Sequence, residues 1–301
     1  MKKAKMIAVI AAVGAIFASG CSMFKNEEEK PLKILMIGNS FSVCNLQHMP
    51  AVAKSLGLKL DLASLYIGGC SLERHWENVQ KDGDKKFLPY SFVRNCEGKV
   101  MRGKANVCDT LRSEKWDIVT IQQASGKSWN KESYHPFGDD LVAKIRELAP
   151  TAKIYIQETW SYTPWDKRLE KWNLDQNEMY EKLKAAYAEF AAQHSLTIIP
   201  MGTAVQEWRK RLPVKYTENS FGGDVVGGGR QKESDQFKRT KENKWVPNSD
   251  VCHLALRGEY LQALVWTAKI FGVDVRRCEY KPEFVTEDQA KLMKKIADEL
   301  R

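Results

Sequence analysis

The chain has 301 residues, of which 43% are hydrophobic, and its formal net charge is +9. The positive charges are spread along predicted helices and form no array of arginines and aromatic residues. This distribution argues against nucleic-acid binding and in favour of a solvated surface. From Pro31 onward about 270 residues remain, enough for one large α/β domain with a substantial core.

The first 21 residues have the pattern of an export signal. Met1 to Lys5 contains three lysines, Met6 to Phe17 is an apolar run too short for a permanent membrane span, and small residues lead to Cys21. The end of this pattern resembles a bacterial lipobox, although a lipobox more often has Leu where Ala18 stands. The resemblance implies removal of residues 1–20, lipid on Cys21, and a membrane anchor for a domain that stays in water.

Residues 21–31 are predicted to form a flexible tether, because Lys25 to Lys30 is polar, charged and poor in core-forming side chains. The acidic run after Cys21 resembles signals that send lipoproteins to the surface of some Gram-negative bacteria. We therefore expect an exported lipoprotein in the outer membrane or on the cell surface of such a bacterium.

Six cysteines remain in the domain: Cys44, Cys70, Cys96, Cys108, Cys252 and Cys278. An exported protein meets an oxidising compartment, so an even number of cysteines permits disulfides. The first expected pair is Cys96 with Cys108, on either side of a predicted hairpin, and the second is Cys252 with Cys278. No CxxC pair and no cysteine and histidine cluster has metal-site spacing, so the sequence predicts no metal.

Five predicted strands alternate with helices along the domain. The strands are Lys33–Ile37, Lys59–Tyr66, Trp116–Ile121, Lys153–Thr159 and Thr197–Pro200. The main helices are Met49–Leu56, Leu72–Gln80, Ala105–Glu114, Phe137–Leu148, Asn177–His194, Thr203–Leu212, Ala255–Phe271 and Thr286–Leu300. The last of them is predicted to begin with a capping box of Thr286 with Gln289. The alternation predicts one α/β domain over residues 32–301, with a doubly wound, five-stranded, mostly parallel sheet flanked by helices.

Two insertions interrupt this pattern. Phe87–Met101 has two β-forming runs around Asn95–Gly98, which predicts an inserted hairpin. Pro213–Asn248 is predicted to be a long, glycine-rich loop. A structureless segment of this length is unusual inside a compact domain and is more often a functional lid than an error in the predicted elements. The tripeptide Gly126-Lys127-Ser128 does not indicate a phosphate-binding loop, because that motif requires glycine where Ile121 stands.

The first predicted strand ends at Gly38-Asn39-Ser40, at the sheet edge where α/β folds place their ligands. From its local sequence Ser40 is either the cap of the next helix or a functional residue. Gly68 and Gly69 follow the second strand. These glycines either form an ordinary turn between a strand and a helix, or they leave a backbone N–H free to donate a hydrogen bond to a ligand.

Asp250 and His253 are possible partners for a catalytic serine, which needs a base and usually a carboxylate that orients the base. Three residues apart at a loop-to-helix junction, the two side chains can converge with one imidazole nitrogen facing Ser40. The alternative is that Asp250 caps a helix and His253 packs in its first turn. His135 is a weaker candidate base or substrate contact. The histidines in helical patterns are His48, His75 and His194.

These residues resemble the sequence blocks of the SGNH (GDSL-like) hydrolases. Gly38-Asn39-Ser40-Phe41-Ser42 is similar to the first block, in a subgroup with Asn where Asp is usual. Gly68-Gly69 falls where the glycine block should fall, and Asp250-x-x-His253 is similar to the last block. The resemblance covers Leu32 to Gly272 and implies the flavodoxin-like fold of that family.

The resemblance also implies roles. Ser40 would be the nucleophile, His253 the base and Asp250 its orienting carboxylate. The backbone N–H groups of Ser40 and Gly69 would line the oxyanion hole.

The chain departs from the family pattern at the third oxyanion donor. The family usually supplies it from an Asn in a Gly-x-Asn motif, and this chain has Gln122 and Gln123 instead. A glutamine amide can donate the same bond from a longer arm, so we place Gln123 in the oxyanion hole. Gln122 is a candidate substrate contact. Loss of one donor costs about 2.7 to 4 kcal/mol of transition-state stabilisation.

The predicted function is hydrolysis of acyl esters, acetyl esters above all, on carbohydrates, through an acyl-enzyme and without a cofactor. Loop tryptophans, including Trp129 and Trp160, either stack on sugar rings or pack in the core. The alternative is a glycan-binding surface lipoprotein with weakened catalysis, which the glutamine pair favours and the retained serine, histidine and aspartate disfavour. The expected partners are a small-molecule or glycan ester and, through the lipid anchor alone, a membrane.

Overall fold

The computed structural model of the chain describes residues 30–212, 223–227 and 250–301, together with the backbone of two short strands at 237–239 and 245–247. The export signal, Cys21, nearly all of the tether and most of the predicted lid lie outside the described residues. Pro31–Arg301 form one compact unit. Among the described residues, no helix combines the length and the apolar composition that a membrane span requires.

The described strands form a central sheet and a separate pair. The sheet strands are β1 Leu32–Gly38, β2 Leu60–Tyr66, β3 Tyr90–Cys96, β4 Lys99–Ala105, β5 Ile118–Ile121, β6 Lys153–Gln157 and β7 Thr197–Ile199. Their order is β4-β3-β2-β1-β5-β6-β7. The pairings among β1, β2, β5, β6 and β7 are parallel, and β3 and β4 add antiparallel strands at one edge. The separate pair is β8 Phe237–Arg239 and β9 Trp245–Pro247.

The predicted α/β sheet is present, but the number of five strands was wrong. The predicted hairpin does not stand apart from the sheet, because β3 pairs along β2 from Asp61 to Tyr66. A strand edge has unpaired backbone groups, and the hairpin covers the edge that β2 would otherwise expose. Glu97 and Gly98, both with positive φ, form the tight turn between the hairpin strands.

Helices flank the sheet, and most lie within a few residues of the predicted bounds. They are α1 Ser40–Val43, α2 Asn45–Ser55, α3 Leu72–Val79, α4 Val107–Ser113, α5 Phe137–Leu148, α6 Lys167–Lys171, α7 Gln176–His194, α8 Met201–Arg211, α9 Leu256–Phe271 and α10 Glu287–Glu299. Short 3₁₀ turns lie at Lys131–Tyr134 and Val275–Arg277. The predicted capping box of Thr286 with Gln289 begins α10.

The core is built around the middle strands of the sheet. Ile34 to Ile37 in β1 are at most 1% exposed, which is the burial expected of a strand covered on both faces. Because β1 is the central strand, its carboxyl end brings Ser40 to the middle of the sheet edge.

All six cysteines of the domain are free thiols, so the expected disulfides were wrong. Each thiol that we expected to pair has a different neighbour. Cys108 packs against the carbonyl of Val79, and Cys278 packs against that of Tyr280. The tertiary fold therefore separates cysteines that the sequence only counts.

Candidate active site

The turn after β1 holds Ser40 at the start of α1. The Asn39 side chain accepts a hydrogen bond from the Phe41 N–H (2.9 Å) and donates one to the Cys70 carbonyl (2.9 Å). An amide can accept and donate at once, whereas a carboxylate only accepts. Asn39 therefore joins the Ser40 turn to the loop after β2.

Three buried glutamines support the same turn. Gln122 donates to the Asn39 side-chain oxygen (2.6 Å), while Gln157 and Gln262 both donate to the Phe41 carbonyl (2.9 and 2.7 Å). Each glutamine is at most 1% exposed. A fully satisfied buried network of this kind specifies one geometry, so Ser40 is held in place from two strand ends and from α9.

Ser40, His253 and Asp250 form a continuous hydrogen-bonded chain. Ser40 Oγ lies 2.8 Å from His253 Nε2, and His253 Nδ1 lies 3.0 and 3.1 Å from the two oxygens of Asp250. Asp250 also accepts the backbone N–H of His253 at 3.1 Å. The carboxylate thus orients the ring with Nδ1 toward itself and Nε2 toward the serine hydroxyl.

Two other segments, one after β6 and one at 223–227, hold the loop that carries His253. The Trp160 indole donates to the Cys252 carbonyl (2.8 Å), and the Thr163 N–H donates to the Val251 carbonyl (3.1 Å). The Gly227 N–H donates to the His253 carbonyl (2.8 Å). The loop is therefore held by hydrogen bonds from two other segments in addition to those that Asp250 accepts from the backbone of the loop itself.

The electrostatics of the pair favour the charged forms of both side chains. The hydrogen bond to Asp250, followed by the contact with Cys252, raises the pKa of His253 to about 10. Burial of Asp250 opposes its ionisation, but hydrogen bonds from the His253 side chain and backbone outweigh burial and hold the pKa of Asp250 below its ordinary value.

Ser40 and His253 line a pocket with a volume of about 490 Å³. The described residues around it are Asn39, Ser40, Phe41, Gly69, Ser71, Ala124, Ser125, Gly126, Lys127, Tyr162, Arg168, Cys252 and His253. Two of these are cations and none is a carboxylate. Arg168 is held in place by the buried Asp166 and lies over the Tyr162 ring, 4.2 Å from its centroid. Lys127 is likewise paired with Glu73 (2.7 Å), so the pocket wall combines ion-paired cations and hydroxyl groups with the rings of Phe41 and Tyr162.

Gly69 and Ser40 provide backbone donors at this pocket. Gly69 has φ +61, a conformation that favours glycine. Across the described residues, neither the Gly69 N–H nor the Ser40 N–H bonds to a protein acceptor. Both groups are therefore available to a ligand.

Gln123 does not reach the pocket. Its amide nitrogen donates to the carbonyl and hydroxyl of Ser133 (2.7 and 3.2 Å), and its oxygen accepts from the backbone of Leu72 and Ala124 (3.1 and 2.8 Å). The side chain is 0% exposed. Gln123 thus fastens the loop after β5 to the start of α3.

The other predicted substrate contacts also lie outside the pocket lining among the described residues. Gln122 belongs to the buried network beside Asn39. Trp160 is 1% exposed and stacks on Phe41 with ring centroids 4.2 Å apart. Trp129 packs against Trp172 (5.5 Å), and His135 binds Asp139 (2.7 Å).

The sequence reasoning did not single out several residues of the pocket. Cys252 was considered only as a disulfide candidate, although it lies within the Asp250-x-x-His253 motif. Arg168 and Tyr162 have no local pattern that marks them, because they reach the pocket from the segment after β6. Ser125 follows the polar end of β5, and that position was the available signal.

Comparison with solved structures shows that the chain has the α/β fold of SGNH hydrolases. A protein assigned as an SGNH hydrolase, from Slackia heliotrinireducens, is 19% identical with a TM-score of 0.50, over 80% of this chain and 99% of that chain. A Clostridium thermocellum family 3 carbohydrate esterase is 10% identical with a TM-score of 0.45, over 82% and 98%. The similarity to the Slackia heliotrinireducens protein concerns the fold alone.

The chain belongs to the family described as "Domain of unknown function (DUF4886)", which matches residues 33–225. A DUF4886 family protein from Bacteroides uniformis ATCC 8492 is 26% identical with a TM-score of 0.72, over 90% of this chain and 94% of that chain. No curated protein matches the sequence. The family match includes Ser40 and ends before Asp250 and His253.

Proposed function

We propose that this protein is a serine esterase that hydrolyses acyl esters, acetyl esters above all, through Ser40, His253 and Asp250. The observation that carries the proposal is the unbroken chain from Ser40 Oγ to His253 Nε2 (2.8 Å) and from His253 Nδ1 to Asp250 (3.0 Å). A serine hydroxyl is a weak nucleophile, and this arrangement supplies the base that activates it.

The reaction has two steps. Ser40 Oγ attacks the acyl carbonyl while His253 takes the hydroxyl proton and then passes it to the leaving alcohol, which leaves an acyl-enzyme. Water then attacks the acyl carbon, its proton passes through His253 back to Ser40 Oγ, and the carboxylic acid is released. Asp250 stabilises the imidazolium that forms in each step.

The oxyanion donors in this proposal are the backbone N–H groups of Ser40 and Gly69. Backbone donors aimed at the developing charge stabilise the transition state without reorganising. Gln123 is not assigned this role, because its amide is bound to Ser133.

The proposed substrates are carbohydrate esters. Their support is the presence of Ser71, Ser125, Lys127 and Arg168 in the pocket lining, because hydroxyl and cationic side chains can donate hydrogen bonds to the hydroxyl groups of a sugar. The rings of Phe41 and Tyr162 in the same lining offer apolar surface for a sugar ring or for a short acyl group.

The test is hydrolysis of 4-nitrophenyl acetate and of an acetylated glycan by the wild type and Ser40→Ala. We expect kcat/KM to fall by about 10³-fold or more in Ser40→Ala, because no other group replaces the nucleophile. Ser113→Ala is the matched control. Its hydroxyl binds the Thr110 carbonyl at the end of α4, before β5 begins and thus away from the Ser40 edge, so activity should persist.

Absence of Ser40-dependent turnover on both substrates would refute the proposed esterase activity. Binding of the glycan without turnover would instead identify a glycan-binding protein with weakened catalysis. The position of Gln123 favours that alternative, because its amide is bound to Ser133 and does not supply the side-chain oxyanion donor for which it was the candidate.

A further inference from the structure

The thiol of Cys252 lies beside both the base and the carboxylate of the proposed triad. Its Sγ is 3.8 Å from His253 Nδ1 and 3.9 Å from Asp250 Oδ1. We propose that Asp250, Cys252 and His253 bind a thiophilic divalent cation such as Zn²⁺, and that the bound cation blocks the base. The binding site stands independently of the proposed function, whereas the inhibitory effect rests on it.

The geometry of the three side chains fits such an ion. Ligands at 2.0 to 2.3 Å in a tetrahedral arrangement lie roughly 3.3 to 3.8 Å from one another. The three atoms here are 3.8, 3.9 and 3.0 Å apart, so the nitrogen–oxygen separation has to widen and the two separations from sulfur have to shorten, each by about 0.2 to 0.4 Å. Thiolate, imidazole and carboxylate are each zinc ligands, and the fourth position is left for water.

The site is preformed and accessible. The side chains of His253 and Asp250 are 39% and 33% exposed, and Cys252 lines the pocket. The Trp160 indole holds the Cys252 carbonyl, which fixes the backbone between the ligands. Arg168 is the nearby cation on the pocket wall, and its guanidinium is paired with the buried Asp166.

Coordination would remove the base by a change of tautomer. A cation can bind Nδ1 only through its lone pair, so the neutral ring then carries its proton on Nε2. The thiol and the charged imidazole, through its Nδ1–H, each release one proton to solvent, and neither the metal nor the sulfur changes oxidation state. Nε2 then donates to Ser40 Oγ and cannot accept its proton, while Asp250 is bound to the cation and no longer orients the ring.

The experiment is titration of the full chain with Co²⁺ alone, followed by the thiolate-to-cobalt charge-transfer absorption. We expect the band in the wild type, in Ser40→Ala and in Cys96→Ser, which removes a half-buried thiol in β3. We expect it to be lost in Cys252→Ser and Cys252→Ala, and thermal unfolding of both variants will show that they fold. Zn²⁺ should displace cobalt and inhibit ester hydrolysis, and a chelator should reverse the inhibition. The zinc concentration that half-inhibits Cys252→Ser should be at least about 10-fold higher than that for the wild type.

A missing band in the wild type, or an equal band in Cys252→Ser, would overturn the cation site. An intact band without any ester hydrolysis would leave the cation site standing and refute the proposed function. Inhibition by zinc that is unchanged in both Cys252 variants would show that the inhibitory cation binds elsewhere.

Discussion

His253 is the residue at which the proposed reaction and the proposed cation site meet. One ring nitrogen lies beside the Ser40 hydroxyl, and the other lies beside Asp250 and Cys252. The chemistry of the site therefore depends on which nitrogen of this ring carries a proton.

We predict that kcat/KM for an acetyl ester rises with pH through the alkaline range. Only the neutral imidazole can accept the Ser40 proton, and the hydrogen bond to Asp250, with the contact of Cys252, raises the pKa of His253 to about 10. Asp250→Asn removes the larger cause, so the rising limb should move to lower pH and kcat should fall by about 10⁴-fold. The measurement is a pH-rate profile with a chelator present.

The control for this profile is Asp274→Asn, because Asp274 pairs with Arg276 on the surface and does not line the pocket. The rising limb of the pH-rate profile of Asp274→Asn should coincide with that of the wild type. A limb that stays in place in Asp250→Asn would show that Asp250 does not set the protonation of His253.

At this scale the sequence singled out the three residues that the structure joins by hydrogen bonds, but it did not predict the contacts of their neighbours. Ser40, Asp250 and His253 have recognisable local patterns. Gln123 also has a plausible pattern, yet its amide is bound to Leu72 and Ser133, which lie 51 and 10 positions away along the chain. The partners of a buried amide are decided by packing, and no local signal reports them.

At the scale of elements, residues 223–227 are the described part of the predicted lid, and they pack against the loop that carries His253. We call these residues the brace. Residues 223–227 are mostly buried, and Val226 forms a β-bridge with Leu254. The Val225 carbonyl accepts from Ala255, and a Cβ on Gly258 would lie 2.2 Å from that carbonyl. The close approach requires glycine in α9 and brings this segment against the loop.

We predict that Asp224→Ala both destabilises the fold and lowers activity. Asp224 is 0% exposed and pairs with the buried Arg209 at 2.9 Å, which links the brace to α8. Removing one partner of a buried ion pair costs about 3 to 5 kcal/mol. The free energy of unfolding from denaturant titration and kcat/KM should both fall, because Gly227 would hold the His253 carbonyl less firmly.

Asp288→Ala serves as the matched surface control here, because Asp288 is exposed in the first turn of α10, and it should change both quantities far less than Asp224→Ala. Loss of stability in Asp224→Ala with full activity at low temperature would show that residues 223–227 support the fold without positioning His253.

The protein as a whole is one sheet domain that the sequence predicts to follow an export signal and a tether. The free thiols show that its stability comes from the core and not from cross-links. Packing of β1 and its neighbours between helices accounts for this, since the central strands are fully buried.

We predict that the chain is attached to a membrane through lipid on Cys21. Expressed in a Gram-negative host, the wild type should incorporate labelled palmitate and fractionate with membranes. Cys21→Ser should remain unlabelled and leave the membrane fraction, while Cys96→Ser should behave as the wild type. Equal labelling of Cys21→Ser would rule out this anchor.

The sequence by itself determined the alternation of strands and helices, the burial of β1, the capping box of α10 and the candidate residues of the triad. These features follow from periodicity and local chemistry within a few residues. Only the tertiary structure decided that the hairpin extends the sheet, that the thiols stay free, and that Cys252 joins Asp250 and His253. The reason is that such contacts depend on long-range packing: the Ser40 and His253 side chains meet across 213 positions of the chain.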